Sequence, residues 1–137
     1  MNKPIGSIVW PQSSRESVSL YLQYMVKVVG AFRISFGTTS HNPMNIVKDI
    51  LAGAALDEER CAALEHWWKL VDTRGIRDFR SKDVLVARLA ICLLSPSEKK
   101  ASQLGEQLSW FLEVLFFLGL DVDRAVQIMH EHFEFRE

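Results

Sequence analysis

At 137 residues, with 48% hydrophobic and 24% charged side chains, the chain has the size and composition of one globular domain that needs no disulfide or metal staple. Its net charge of −1 disfavours a general nucleic-acid binder, which carries a strong basic excess. The balance is uneven: residues 1–56 hold five basic and two acidic side chains, residues 57–94 seven of each, and residues 95–137 four basic against eight acidic. The two ends can therefore attract each other, within the fold or between subunits, over the roughly 8 Å that salt leaves unscreened.

Residues 1–12 read as an extended lead-in punctuated by Pro4, Gly6 and Pro11 and anchored by Trp10. The stretch is too short for a signal-peptide core. Ser13 and Glu16 form a capping box, and Val18, Tyr21, Leu22, Met25, Val28, Val29, Phe32 and Phe36 follow at helical spacing, which predicts a helix over residues 14–35. Asn42 before Pro43 is a cap and first-turn pair for a short helix that carries Ile46, Val47, Ile50 and Leu51 and stops at Gly53. Asp57 caps a third helix, with Glu58 and Glu59 where the helix dipole favours negative charge. Its inner stripe reads Cys61, Leu64, Trp68 and Val71, and Gly75 ends it. Ser81 caps a fourth, with Val84, Leu85, Leu89, Ile91 and Cys92 facing inward.

Ser95, Pro96 and Glu98 then bring an N-cap, a first-turn proline and a capping-box carboxylate together. Leu104, Leu108, Phe111, Leu115 and Leu118 recur at helical spacing up to Gly119. Trp110, Leu112, Val114, Phe116 and Phe117 widen that surface until the last two turns are apolar nearly all round. A helix of this kind belongs inside others, so a central apolar helix is expected near residues 96–118. Asp121 caps a last helix through Ala125, Ile128, Met129 and Phe133. No segment alternates with a two-residue period between turn signals, so no sheet is expected. The sum is an all-α fold: a compact single-domain bundle of about six helices over residues 1–137.

No apolar run approaches the roughly 18 residues of a membrane-spanning helix. Arg88 interrupts VLVARLAICLL, and Glu106 and Glu113 interrupt the long helix. Cys61 and Cys92 both fall among apolar neighbours and read as two buried free thiols, which fits a reducing cytoplasm.

The phosphate loop, the dinucleotide fingerprint, the nucleophile elbow, C-x-x-C and H-E-x-x-H are all absent, which disfavours the enzymes that carry them. No catalytic residue, metal ligand or cofactor is assigned. Among His41, His66, His130 and His132, the last two lie about 200° apart on a helix and do not easily share a metal, while His130 and Glu134 share a face. Arg74, Arg77 and Arg80 recur every third residue beside Lys82, the densest basic cluster in the chain, diluted by Asp72, Asp78 and Asp83. Arginine forks suit carboxylates or phosphates. The place of this cluster between two helices invites a helix-turn-helix reading, but the connector is about twice the length that motif uses. Trp67 and Trp68 differ by about 100° around a helix, so both rings do not point into one core. An exposed tryptophan beside arginine is the composition of an interface hot spot.

The run QLGEQLSWFLEVLFFLGLD, from Gln103 to Asp121, resembles the second metal-binding helix of the all-α nucleoside triphosphate pyrophosphohydrolases, the MazG-like group. That helix carries E-x-x-D, an apolar run and a Gly-Ile-Asp turn. Here Gln103 and Glu106 stand at the two acid positions, and the stretch from Lys27 to Arg33, nearest to the family's earlier E-x-x-E pair, holds no acid. The resemblance covers a single helix and implies a divergent, inactive relative, with Glu106 and Glu113 as the only carboxylates left to bind magnesium or nucleotide.

The leading expectation is a non-enzymatic, cytoplasmic helical interaction protein of the inhibitor, immunity or adaptor kind, acting by surface complementarity on another protein, on a second copy of itself, or on both. Its expected contact residues are Trp67, Trp68, Arg74, Arg77 and Arg80, together with Glu131 and Glu134 on the acidic last helix. The pyrophosphohydrolase and a helix-turn-helix DNA-binding regulator stand as alternatives.

Overall fold

The computed structural model describes residues 4–37, 41–54, 57–74 and 81–136. They form six α-helices: α1 (Ser14–Phe32), α2 (Pro43–Leu51), α3 (Asp57–Arg74), α4 (Lys82–Leu94), α5 (Leu104–Phe117) and α6 (Val122–His132). Two short 3₁₀ turns, Ile5–Ser7 and Glu98–Gln103, precede α1 and α5. The described residues contain no strand, and one isolated antiparallel bridge joins Ile8 to Phe135. The all-α bundle is therefore as the sequence leads one to expect.

Local chemistry sets most helix boundaries. The Ser13 hydroxyl accepts the Glu16 backbone N–H at 3.3 Å, which satisfies one of the free donors of the first turn of α1. That helix stops at Phe32, three residues short of the expected end, because Arg33 adopts the left-handed conformation at φ 54°. For α2, the Asn42 side chain accepts the Met44 N–H at 2.9 Å, and Gly53, at φ 74°, supplies the left-handed residue that ends it. Asp121 caps α6 by accepting the Asp123 N–H at 3.1 Å.

The long apolar helix begins later than its capping signals imply. Ser95 is the C-cap of α4, its hydroxyl donating to the Ile91 carbonyl, and Pro96 is buried in the connection. The chain then makes the 3₁₀ turn, with Lys100 outside helical dihedrals, and becomes α-helical only at Leu104. From there α5 buries Leu104, Leu108, Phe111, Val114 and Leu115. It shares the centre of the bundle with α4, in which every side chain from Val84 to Leu94 except Val86 is buried. Helix α4 packs against α2, α3 and α5.

The inner stripe of α3 is Ala63, Trp67 and Val71, all buried, with Leu64 and Trp68 half-buried at its flank. This corrects the expected Cys61, Leu64, Trp68, Val71 stripe by about a quarter turn. Cys61 is accordingly exposed, 3.7 Å from the Asp57 carboxylate, and only Cys92 is a buried thiol, its ionisation suppressed by desolvation.

Helix α6 is fastened to α1 by polar contacts. The buried Tyr24 hydroxyl donates to the Ala125 carbonyl at 2.8 Å. His132 Nε2–H donates to the Leu20 carbonyl at 2.8 Å, while the Lys27 ammonium donates to His132 Nδ1, also at 2.8 Å. Beyond His132 the helix ends, so Glu134 lies on an extended tail and not on the helical face shared with His130 that its spacing implies. That tail meets the lead-in: Val9 N–H donates to the Glu134 carbonyl at 2.7 Å, and Arg136 N–H donates to the Ser7 carbonyl at 2.8 Å. The Trp10 ring stands edge-on to Phe133 at 5.2 Å and to Tyr21 at 6.3 Å. The two ends of the chain meet through backbone and aromatic contacts, with no ion pair between them among the described residues.

Candidate functional site

The outer face of α5 is the most unusual surface of the molecule. Its exposed positions are Glu106, Ser109, Glu113, Phe116 and Phe117, which fall three or four residues apart down one side of the helix. Phe116 is 67% exposed and Phe117 42%, the largest apolar side chains presented to solvent among the described residues. Their rings meet edge to face at 5.8 Å. The expectation that the last two turns are buried nearly all round fails at these two positions. The sequence did carry a signal: Glu106 and Glu113, seven residues apart, mark the outward face, and one further turn along that face lands on Phe116 and Phe117.

The chain just beyond keeps the phenylalanines in place. Gly119, at φ 77°, reverses the backbone, with its N–H donating to the Phe116 carbonyl at 2.9 Å and the Leu120 N–H to Leu115 at 3.1 Å. Exposed Asp121 and Asp123 follow at the start of α6, so in sequence the aromatic pair is flanked by Glu113 before it and these two carboxylates after it. At the other end of the stripe an open groove of about 670 Å³ separates α5 from the lead-in. One wall is Ser102, Gly105, Glu106 and Ser109; the other is Ile5, Ile8, Val9 and Trp10. Arg136 closes it, its guanidinium donating to the Gly6 carbonyl at 2.6 Å.

A second, more enclosed cleft of about 390 Å³ lies where α1, the end of α2, the start of α3 and the α4–α5 connection converge. Its floor includes Val18, Leu22, Ile50, Leu51 and Pro96, and its rim Arg15, Asp57, Arg60 and Glu98. Arg60 is fixed there. Its Nε donates to Asp57 at 2.8 Å and its Nη1 to the Leu94 carbonyl at 2.8 Å, so it acts as a cap on the C-terminal end of α4. The same guanidinium holds the Asp57 carboxyl below its ordinary range. Among the described residues that line it, Arg15 and Arg60 balance Asp57 and Glu98 in formal charge.

The other sequence-derived candidates are dispersed. Trp67 is 5% exposed, its indole N–H donating to the His41 carbonyl at 2.9 Å and its ring edge-on to Phe36. Trp68 packs half-buried against the core. Arg74 is the last residue of α3, and Arg77 and Arg80 lie outside the described residues. Glu131 and Glu134 are both exposed, the first on α6 and the second on the tail. His41 and His66 stack at 4.5 Å, and burial, with His41 beside it, pushes the His66 imidazole below its usual range. Glu106 and Glu113 point to solvent, not into the bundle, and the described residues hold no group of three or more potential metal ligands. No described helix is long and apolar enough to cross a membrane. Comparison with protein-family models, with curated proteins and with solved structures finds no match to this chain.

Proposed function

We propose that the chain is a non-enzymatic helical interaction protein of the inhibitor, immunity or adaptor kind, which recognises another protein by shape and charge complementarity. The observation that carries this reading is Phe116, two-thirds exposed at the end of an otherwise well-packed helix. Leaving a phenylalanine ring in water forgoes about 2 kcal/mol of burial, a cost that a binding surface recovers on association. Aromatic anchors surrounded by polar groups are the usual centre of a binding hot spot, and exposed Glu113, Asp121 and Asp123 flank the pair in sequence. The carboxylates favour a partner with a basic rim and disfavour acidic competitors.

The test compares the proteins retained by the wild-type chain with those retained by Phe116→Ser at matched folded concentration. The expected result is loss of a partner in the variant, with an affinity drop of about 2 kcal/mol or more once that partner is purified. An identical set of retained proteins, at identical affinity, would refute the reading.

A further inference from the structure

The interaction reading leaves the shape of the partner open, and the outer stripe of α5 narrows it. Glu106, Ser109, Glu113 and Phe116 fall at i, i+3, i+7 and i+10, the spacing at which one helix presents a continuous seam to another. The seam is about 15 Å long at 1.5 Å per residue, enough for roughly three turns of a second helix. Beside its first half, Ser102, Gly105, Glu106 and Ser109 line the groove, with Ile5 of the lead-in standing against Gly105. At its second half stand the phenylalanines. Helix α5 contains two carboxylates and no basic residue. Neither Glu106 nor Glu113 has an ion-pair partner among the described residues. Among the described residues that line the groove the one cation is Arg136, and its guanidinium donates to the Gly6 carbonyl.

Resting on the interaction reading above, we propose that the partner docks a basic amphipathic helix along the outer stripe of α5, placing lysines or arginines against Glu106 and Glu113 and an apolar recess over Phe116. Charge selects this occupant over a second copy of the chain. A symmetric α5–α5 pairing would bring four carboxylates onto one seam with no basic residue on either helix to meet them, which is a repulsive arrangement. A basic helix converts the same carboxylates into two attractive contacts and follows the helix-in-groove mode of recognition.

The experiment uses the full chain and two labelled synthetic peptides about 20 residues long, with the same leucine stripe, one flanked by lysines and the other by glutamates. Fluorescence anisotropy reads binding. The lysine peptide is expected to bind at least about tenfold more tightly than its glutamate twin, and to weaken as salt is raised. Glu106→Lys/Glu113→Lys is expected to reverse that preference, and Phe116→Ser to weaken the lysine peptide by about tenfold. These are exposed positions, and unchanged helical circular dichroism verifies that each variant is folded. Equal affinity for the two peptides, no binding by either below about 1 mM, or a preference unmoved by the double reversal overturns the proposal. A dimer of the chain that Phe116→Ser dissociates overturns it in favour of a second copy. If Phe116→Ser loses the native partner while charge reversal leaves that partner's affinity unchanged, the docked helix falls and the interaction reading stands. If neither change affects the native partner, both fall.

Discussion

His132 shows how a single side chain can make the stability of a bundle depend on pH. Its Nε2–H is committed to the Leu20 carbonyl and its Nδ1 accepts from the Lys27 ammonium, so the ring is held as one neutral tautomer. A proton on Nδ1 would face a cation and lose that hydrogen bond. Burial, the largest effect, pushes the folded value below the ordinary 6.5; the Leu20 bond opposes it, and the Lys27 charge adds a smaller push downward. The unfolded chain therefore binds the proton more readily. The stabilisation is complete above about pH 6.5 and is lost as pH falls through the lowered folded value. Urea midpoints measured from about pH 7.5 down to about pH 5 should decline, and His132→Gln should flatten that slope. A slope unchanged by the substitution would mean that His132 does not titrate as described. His66, shifted in the same direction, supplies the residual slope.

Helix ends divide into those that local sequence dictates and those that need the rest of the fold. Ser13 with Glu16, Asn42 with Pro43, and Asp121 are legible because the cap and its target N–H lie within three residues of each other. Ser95 carries the same letters but spends its hydroxyl on the preceding helix, a choice that burial of Pro96 and the packing of α4 impose. The stripe of α3 was ambiguous for a related reason. Both the expected column through Trp68 and the observed one through Trp67 have helical spacing, and the deciding contact, Trp67 to the His41 carbonyl, comes from 26 residues away. The candidate site was half legible: the two glutamates of α5 mark its outward face, but the depth at which neighbouring helices stop covering Phe116 is a tertiary property. Arg60 makes the same dependence measurable at the level of elements, because one α3 side chain closes the end of α4. Arg60→Ala should lower stability by about 1.5 kcal/mol through loss of the bond to Leu94, with an unchanged denaturant slope in urea unfolding. A loss within about 0.3 kcal/mol would show that water replaces the guanidinium without penalty.

For the whole molecule, the acidic C-terminal third and the mildly basic first third do come together, though the contacts that join them are uncharged. Phe133 is buried between Trp10 and Tyr24, with ring centroids at 5.2 Å from each. Phe133→Ala should therefore destabilise the domain by about 3 kcal/mol in equilibrium urea unfolding, and a cost below about 1 kcal/mol would mean that the tail is dispensable. The joined ends also bear on the order of folding. Gly6 and Arg136 touch across a sequence separation of 130 residues, so their contact closes nearly the entire chain into one loop. Ordering so long a loop is entropically the most expensive closure in the molecule, and the contact is worthwhile only after α1 and α6 have docked and shortened the effective distance. The seam between the two ends thus depends on the rest of the bundle being in place. The groove beside α5 has the lead-in side of that seam as one wall, so a helix docking there would meet a surface that exists only once both ends of the bundle are in place.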